Sequence, residues 1–170
     1  LGDDGTIWGG EALELEGDGY RRVATLRSFP LPGGERALRE PRRAALGMLL
    51  EAYGPNWRAR LQPLETPWWS AFPEADRALL EQSLVCGVNR HRCSSMGRLF
   101  DGFAALLGVQ QTCSFEAQAA MALEGLATQA LERGEASPTY PLPLEWSAAE
   151  GIWVWNWAPL LEAVLNGLGE

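Results

Sequence analysis

Lysine is missing from this chain: all 14 of its positive side chains are arginine. A phosphate loop that works through a lysine ammonium is therefore excluded within these residues. No two cysteines have the CxxC spacing of a zinc or redox motif; the thiols are Cys86, Cys93 and Cys113. Histidine occurs once, at His91, so a Ser-His-Asp or Cys-His catalytic set would have to use it. No apolar run approaches the ~20 residues that cross a bilayer, which argues against a membrane role. The first residues, LGDDGTIWGG, carry neither an initiator Met nor a charged and apolar leader. An odd thiol count without a secretory signal predicts reduced cysteines in a cytoplasm. The missing Met suggests a piece of a longer protein.

What is present points to a folded domain. The 170 residues are 46% hydrophobic, enough for a real core. A net charge of -8 argues against a nucleic-acid surface. Leu13 and Leu15 alternate with charged residues, GDG (Gly17 to Gly19) turns the chain, and Tyr20 to Leu26 returns it, so residues 6–29 read as strands. Pro30, Pro32, Gly33 and Gly34 break that pattern. Residues 40–87 read as largely helical. Pro41 suits a first helical position, Leu46, Leu49, Leu50 and Tyr53 share a face, and Gly54 suits the stop. Pro55 to Phe72 reads as a loop, and Pro73 opens a further helix that Gly87 ends. Helices are expected from Met96 to Leu107 and from Phe115 to Glu132, ended by Gly108 and Gly134. A Pro-rich loop over Ser137–Pro143, a short strand within Gly151–Trp157 and a last helix from Pro159 complete the pattern. The fold class expected is α+β, mainly helical.

The stretch CSSMGRLFDGFAALLG, Cys93 to Gly108, puts a polar entrance ahead of a smooth apolar helix. Leu99, Phe100, Phe103, Leu106 and Leu107 make its apolar face; Arg98, Asp101, Gly102 and Ala105 make the other. One reading is a serine cap worth ~1 kcal/mol and an exposed Arg98–Asp101 pair worth ~0.2–0.5 kcal/mol. The other is a ligand site. Free amides and the positive dipole end at Ser95 to Gly97 would face an anionic or polar ligand. Gly97 would let it approach the backbone, and Asp101, one turn in, would accept hydrogen bonds from a vicinal diol such as a ribose.

Other signals are weaker. His91 with Cys93 offers two metal ligands, short of a closed site. The eight tryptophans read as core and loop packing before a sugar platform. Asp3 to Gly5 begins like a calcium loop, but the following acids have the wrong spacing. Gly9 and Gly10 in WGGE are a bend or a phosphate cradle. None of the thiols has a recognisable activating partner beyond His91, so all three read as structural.

Taken in order, DDGTIWGGE (Asp3 to Glu11), LRSFPLPGGERALREPRRAAL (Leu26 to Leu46), SSMGRLFDGFAALLG and SFEAQAAMALEGLA (Ser114 to Ala127) resemble consecutive signatures of the HypF family of hydrogenase maturation carbamoyltransferases. The resemblance covers most of the chain and places it inside that family's large C-terminal module. That module is similar to the threonylcarbamoyl-transferase fold, an actin/hexokinase-like (ASKHA) architecture. It implies a strand hairpin of the core at residues 1–29, a mostly helical insertion at 30–92, and the helical part of the core at 93–170. It also implies a reaction. The full enzyme takes carbamoyl phosphate and ATP, forms carbamoyl adenylate, and passes the carbamoyl group to the C-terminal cysteine of a HypE-like partner. The product leads to the cyanide ligand of [NiFe] hydrogenase. By resemblance Gly9, Gly10, Gly97, Arg98 and Asp101 bind the nucleotide.

The chain departs from the family pattern in places. The upstream histidine pair that holds a divalent metal and the downstream glycine-rich nucleotide loop are absent, so metal ligands are expected outside this segment, which should not catalyse alone. Ala117 stands where glycine is expected, which leaves the role of Glu116 open, and Gly102 stands where alanine is common. The alternative to a piece of an enzyme is a non-catalytic helical module for partner docking or scaffold packing.

Overall fold

Two glutamate-flanked leucines and a GDG turn make a hairpin of β1 (Glu11–Glu16) and β2 (Gly19–Leu26), paired antiparallel with a bulge between Ala12 and Leu13. The computed structural model describes residues 1–64, 66–88, 90–135 and 139–168. The far end of the hairpin stands clear of the core, and Leu13 and Leu15 are exposed. The other end of β2 is buried and pairs in parallel with β6 (Ile152–Trp155), which in turn pairs antiparallel with β5 (Leu144–Ser147). The sheet order is β1-β2-β6-β5.

The expected break at Pro30 and Pro32 is itself a strand. β3 (Phe29–Pro32) pairs antiparallel with β4 (Arg90–Cys93) in a separate two-stranded sheet. A proline can stand in a strand where no ladder N–H is required, and β3 is an edge strand. Alternating prolines leave Phe29 and Leu31 as the donors. Ile7 adds a parallel bridge to Cys93.

The helices are α1 (Pro41–Tyr53), α2 (Trp57–Leu61), α3 (Pro67–Ala71), α4 (Glu74–Val85), α5 (Met96–Leu106), α6 (Gln118–Glu132) and α7 (Ala158–Gly167). Proline sits in the first turn of α1, as expected, and Gly54 and Gly108 follow α1 and α5 with φ of 55° and 77°. The expected loop Pro55–Phe72 contains α2 and α3. α6 begins at Gln118, not Phe115. Ser137 and Pro138, the start of the expected Pro-rich loop, lie outside the described residues.

The core lies where α1 and α5 cross behind β3. Leu46, Met48, Leu49, Phe103, Leu106 and Trp157 are all buried in it. Gly102 sits at the crossing: a Cβ there would come within 2.1 Å of Met48 Sδ. The alanine common at this position would push Met48 aside. The same core extends to Trp57, Trp68 and Phe72, all buried, with Trp68 edge-on to both of the others.

The reading of α5 as one apolar and one exposed polar face needs correction. Arg98, Asp101, Gly102 and Ala105 are all buried, whereas Phe100 is exposed. α1 packs on one side of the helix, and α6 with the turn before it packs on the other. α6 itself leaves Met121, Leu126 and Leu131 exposed, and the edge-on pair Trp146–Trp153 stands exposed on the outer sheet.

Candidate functional site

The site is built at the start of α5. Ser95 takes the N-cap position and its Oγ accepts from the Arg98 amide at 3.4 Å. The Met96 amide donates to Gly9 O at 3.2 Å. The Gly97 amide has no acceptor among the described residues, so one donor of the first turn is left over at the positive end of the helix dipole.

The WGGE loop lies against this entrance, and a Cβ on Gly9 would come within 2.9 Å of Ser95 Oγ. The amides of Gly9 and Gly10 both donate to Glu11 Oε2, at 2.6 and 2.9 Å. Glu11 also accepts from the hydroxyls of Ser94 and Thr25. Its carboxylate therefore ties the loop, β2 and the α5 entrance together. Sequence reasoning missed this hub; its signal is an acid placed directly after two glycines.

A cavity of about 280 Å³ opens at the entrance. Ser95, Gly97 and Arg98 line one side, Glu116 and Ala117 the other, and Ile7 and Leu31 supply apolar wall. Ala117 holds φ at 62°, the only positive φ among the described non-glycine residues. A glycine expected there meets that geometry without the steric penalty.

Asp101 lies behind Arg98. It is 2% exposed and does not line the cavity. Arg98 Nη1 stands 2.7 Å from its Oδ2, and the same nitrogen reaches Leu38 O at 3.4 Å. The contact to Oδ2 has the distance of an ion pair without the direction of a hydrogen bond, so Oδ2 is buried with no donor. Burial raises the Asp101 carboxyl to about 6, against the pull of Arg98. A buried carboxylate that lacks a hydrogen bond is costly unless something else supplies it.

A wider cleft of about 750 Å³ opens beside β2 and β6, but its arginines are spent on neighbouring acids. Arg27 and Arg92 both bind Glu51, and Arg22 binds Asp4. Asp4 accepts from Thr6 Oγ1, the Thr6 amide and Trp8 Nε1 as well; the Thr6 bond leads in holding its carboxyl down to about 2. The calcium-like start of the chain is thus a self-bonded turn. His91 is exposed and Cys93 buried, and among the described residues no three His, Cys, Asp or Glu converge on a metal position. Burial pushes the Cys93 thiol up to about 11 and also raises Cys113, so neither is a thiolate near neutrality.

The whole chain, residues 1–170, matches the family model described as "Carbamoyltransferase, Kae1-like Domain, second subdomain". The chain belongs to the HypF carbamoyltransferase family. It is 45% identical over 128 residues to carbamoyltransferase HypF2 of Cupriavidus necator, covering 75% of this chain and 15% of that protein. It is 34% identical to carbamoyltransferase HypF of Synechocystis over 96% of this chain and 22% of the relative. Two solved HypF structures share its fold. One is full-length HypF in a phosphate- and nucleotide-bound form (TM-score 0.74, 29% identity, 98% of this chain and 24% of that one). The other is HypF of T. kodakarensis (TM-score 0.77, 28% identity, 96% and 20%). The chain therefore spans about a fifth of the length of these HypF relatives. Its architecture is an α+β, mainly helical fragment of a Kae1-like, threonylcarbamoyl-transferase-like domain.

Proposed function

We propose that this chain is the nucleoside-holding part of an ATP-dependent carbamoyltransferase. The whole enzyme would move a carbamoyl group from carbamoyl phosphate, through carbamoyl adenylate, to the C-terminal cysteine of a HypE-like protein. That chemistry serves cyanide-ligand synthesis in the cytoplasmic maturation of [NiFe] hydrogenase. The division into a hairpin at 1–29, an insertion at 30–92 and a core helical part at 93–170 belongs to the same reading.

One observation carries the site: the Asp101 carboxylate is buried beside the α5 entrance with no hydrogen bond to Oδ2. Ribose hydroxyls would supply the missing donors. The spare Gly97 amide would meet a second polar group of the ligand. At about 280 Å³ the cavity is just below the ~300–1,000 Å³ usual for ligand clefts. It suits a nucleoside-sized group, and the phosphates would be held from beyond this chain. ATP supplies the activation of the carbamoyl group. A divalent metal of the full-length enzyme would take its ligands outside this segment. Gly9 and Gly10 support the site indirectly: with their amides turned to Glu11, they fix the loop against Ser95 rather than cradle a phosphate themselves.

The alternative, a docking or scaffold module, draws support from the exposed apolar side chains of α6 and the Trp146–Trp153 pair. Calorimetric titration of the full-length enzyme with an ATP analogue separates the two. Asp101→Ala removes charge-assisted hydrogen bonds worth ~1.5–3 kcal/mol each. Nucleotide affinity should fall at least about tenfold, the equivalent of ~1.4 kcal/mol. Unchanged affinity would leave Asp101 a structural ion-pair residue and the chain a scaffold.

A further inference from the structure

We infer that Arg98 is a positioning residue that guards the nucleoside site: its guanidinium holds the Asp101 carboxylate until the nucleoside takes its place. The inference rests on the reading of Asp101 given above. Asp101 is buried and does not line the cavity, whereas Arg98, its ion-pair partner, does. A ligand in the cavity reaches the carboxylate only if the guanidinium moves.

The tethers of Arg98 are weak for a buried arginine. Arg43 binds both oxygens of Glu40. Arg77 donates to Trp69 O at 2.5 Å and to Glu74 at 2.6 Å, and it stacks on Trp69 at 4.1 Å. Arg98 has one misdirected contact to Asp101 and one long bond to Leu38 O at 3.4 Å. It also has somewhere to go. Glu116 lines the same cavity and offers a second carboxylate at its exposed side. Arg98 thus has a buried acid, Asp101, as its partner and a second acid, Glu116, lining the same cavity. Paired with Asp101 it closes the site; paired with Glu116 it opens it. Such an element shifts on binding because the ligand interacts with one state only.

Stopped-flow mixing of the full-length protein with a fluorescent ATP analogue tests this. In the wild type the observed rate should level off at high nucleotide, at the rate of opening. Arg98→Ala should remove the plateau and raise the rate at high nucleotide at least about threefold, because the competent state is no longer a fraction of the population. Glu116→Gln should lower the plateau about twofold or more by weakening the open state. Circular dichroism and thermal melting confirm that each variant is folded; should Arg98→Ala fail to fold, the wild-type plateau and Glu116→Gln decide. A wild-type rate linear in nucleotide, an unchanged plateau in Glu116→Gln, or slower binding by folded Arg98→Ala overturns the gate. Asp101→Asn separates the two failures. If it binds nucleotide like the wild type, the underlying reading of Asp101 fails. If it loses affinity while the gate predictions fail, only the gate is wrong.

Discussion

Three arginines, Arg43, Arg77 and Arg98, are buried beside an acid three residues away, and the last two make the sharpest contrast. Arg77 lies in the tryptophan cluster of α3 and α4. Its partner Glu74 is exposed, its guanidinium stacks on Trp69 and Trp68, and a backbone carbonyl takes one of its donors. Arg98 lies at the α5 entrance. Its partner Asp101 is buried, no aromatic ring among the described residues is stacked on it, and a cavity opens at its side. The first arrangement holds the guanidinium by both terminal nitrogens and two rings and leaves only its Nε without an acceptor. The second leaves a carboxylate oxygen and a helix-start amide unsatisfied next to a cavity, and the proposed ligand is what would complete them.

The comparison breaks most visibly at Trp68. Its ring is fully buried between Trp57 and Phe72, and its Nε1 donates to Arg42 O at 3.0 Å. Trp68→Ala leaves a large cavity and an unpaired carbonyl, and should cost ~3–5 kcal/mol in denaturant unfolding. Nucleotide affinity of whatever remains folded should be unchanged. A small loss would mean that the cluster is not the stabilising half of this contrast.

Next in size is the pH response of Asp101. Its folded value, about 6, lies above the ordinary value of 3.8, so the folded state binds the proton more tightly than the unfolded chain does. The group therefore adds stability at pH below its unfolded value and loses that contribution as pH rises through about 6. A shift of about two pH units corresponds to roughly 3 kcal/mol. Glu162 acts in the opposite sense: the Tyr53 hydroxyl and Arg60 hold its carboxyl low, so its contribution is lost on acidification. Comparing wild type with Asp101→Asn cancels such groups. The stability of the wild type relative to the variant should fall between about pH 4 and pH 7. A flat difference would show that Asp101 is ionised and well solvated, as an exposed pair would be.

The same residues show how far the sequence could be read. The β1–β2 hairpin, α1 from its proline to its glycine, and the extent of α5 all follow from local signals: alternation, turn glycines, and a serine at an N-cap. β3 was hidden because two prolines argue against a strand, and only its partner β4, far along the chain, shows that the prolines sit where no donor is needed. The parallel pairing of β2 with β6 has no local signal at all. At the site, the residues were legible and their environment was not. One helix cannot reveal that α1 covers one side and α6 the other, which turns an expected surface pair into a buried one.

A smaller effect concerns strain. Among the described residues the only non-glycine with positive φ is Ala117, and it lines the cavity beside Glu116. None occurs in the tryptophan cluster. The left-handed conformation costs an L-residue ~1–2 kcal/mol, part of which glycine gives back through its freer unfolded chain. Ala117→Gly should therefore stabilise the fold by about 1 kcal/mol. Thermal melts of the two proteins check this. Destabilisation would mean that the alanine methyl is a packing contact worth more than the strain it brings.

The smallest effect is expected at Glu74, and it sharpens the contrast most cleanly. Glu74 is the i,i+3 partner of Arg77 as Asp101 is of Arg98, yet its side chain is 60% exposed. Water already solvates it, so the ion pair gains little over the separated charges. Glu74→Gln leaves Arg77 its bond to Trp69 O and its two rings, and the amide oxygen can still accept from the guanidinium. The melting midpoint should stay with the wild type within error. The matching change at the entrance, Asp101→Asn, leaves Arg98 buried beside a neutral group with only its long bond to Leu38 O to hold it, and its midpoint should move. Two substitutions of the same chemistry, at the same helical spacing, then give different answers because one acid is wet and the other is sealed. Equal responses would mean that burial of the acid does not distinguish the two sites, and the case for a ligand at the α5 entrance would lose its physical basis.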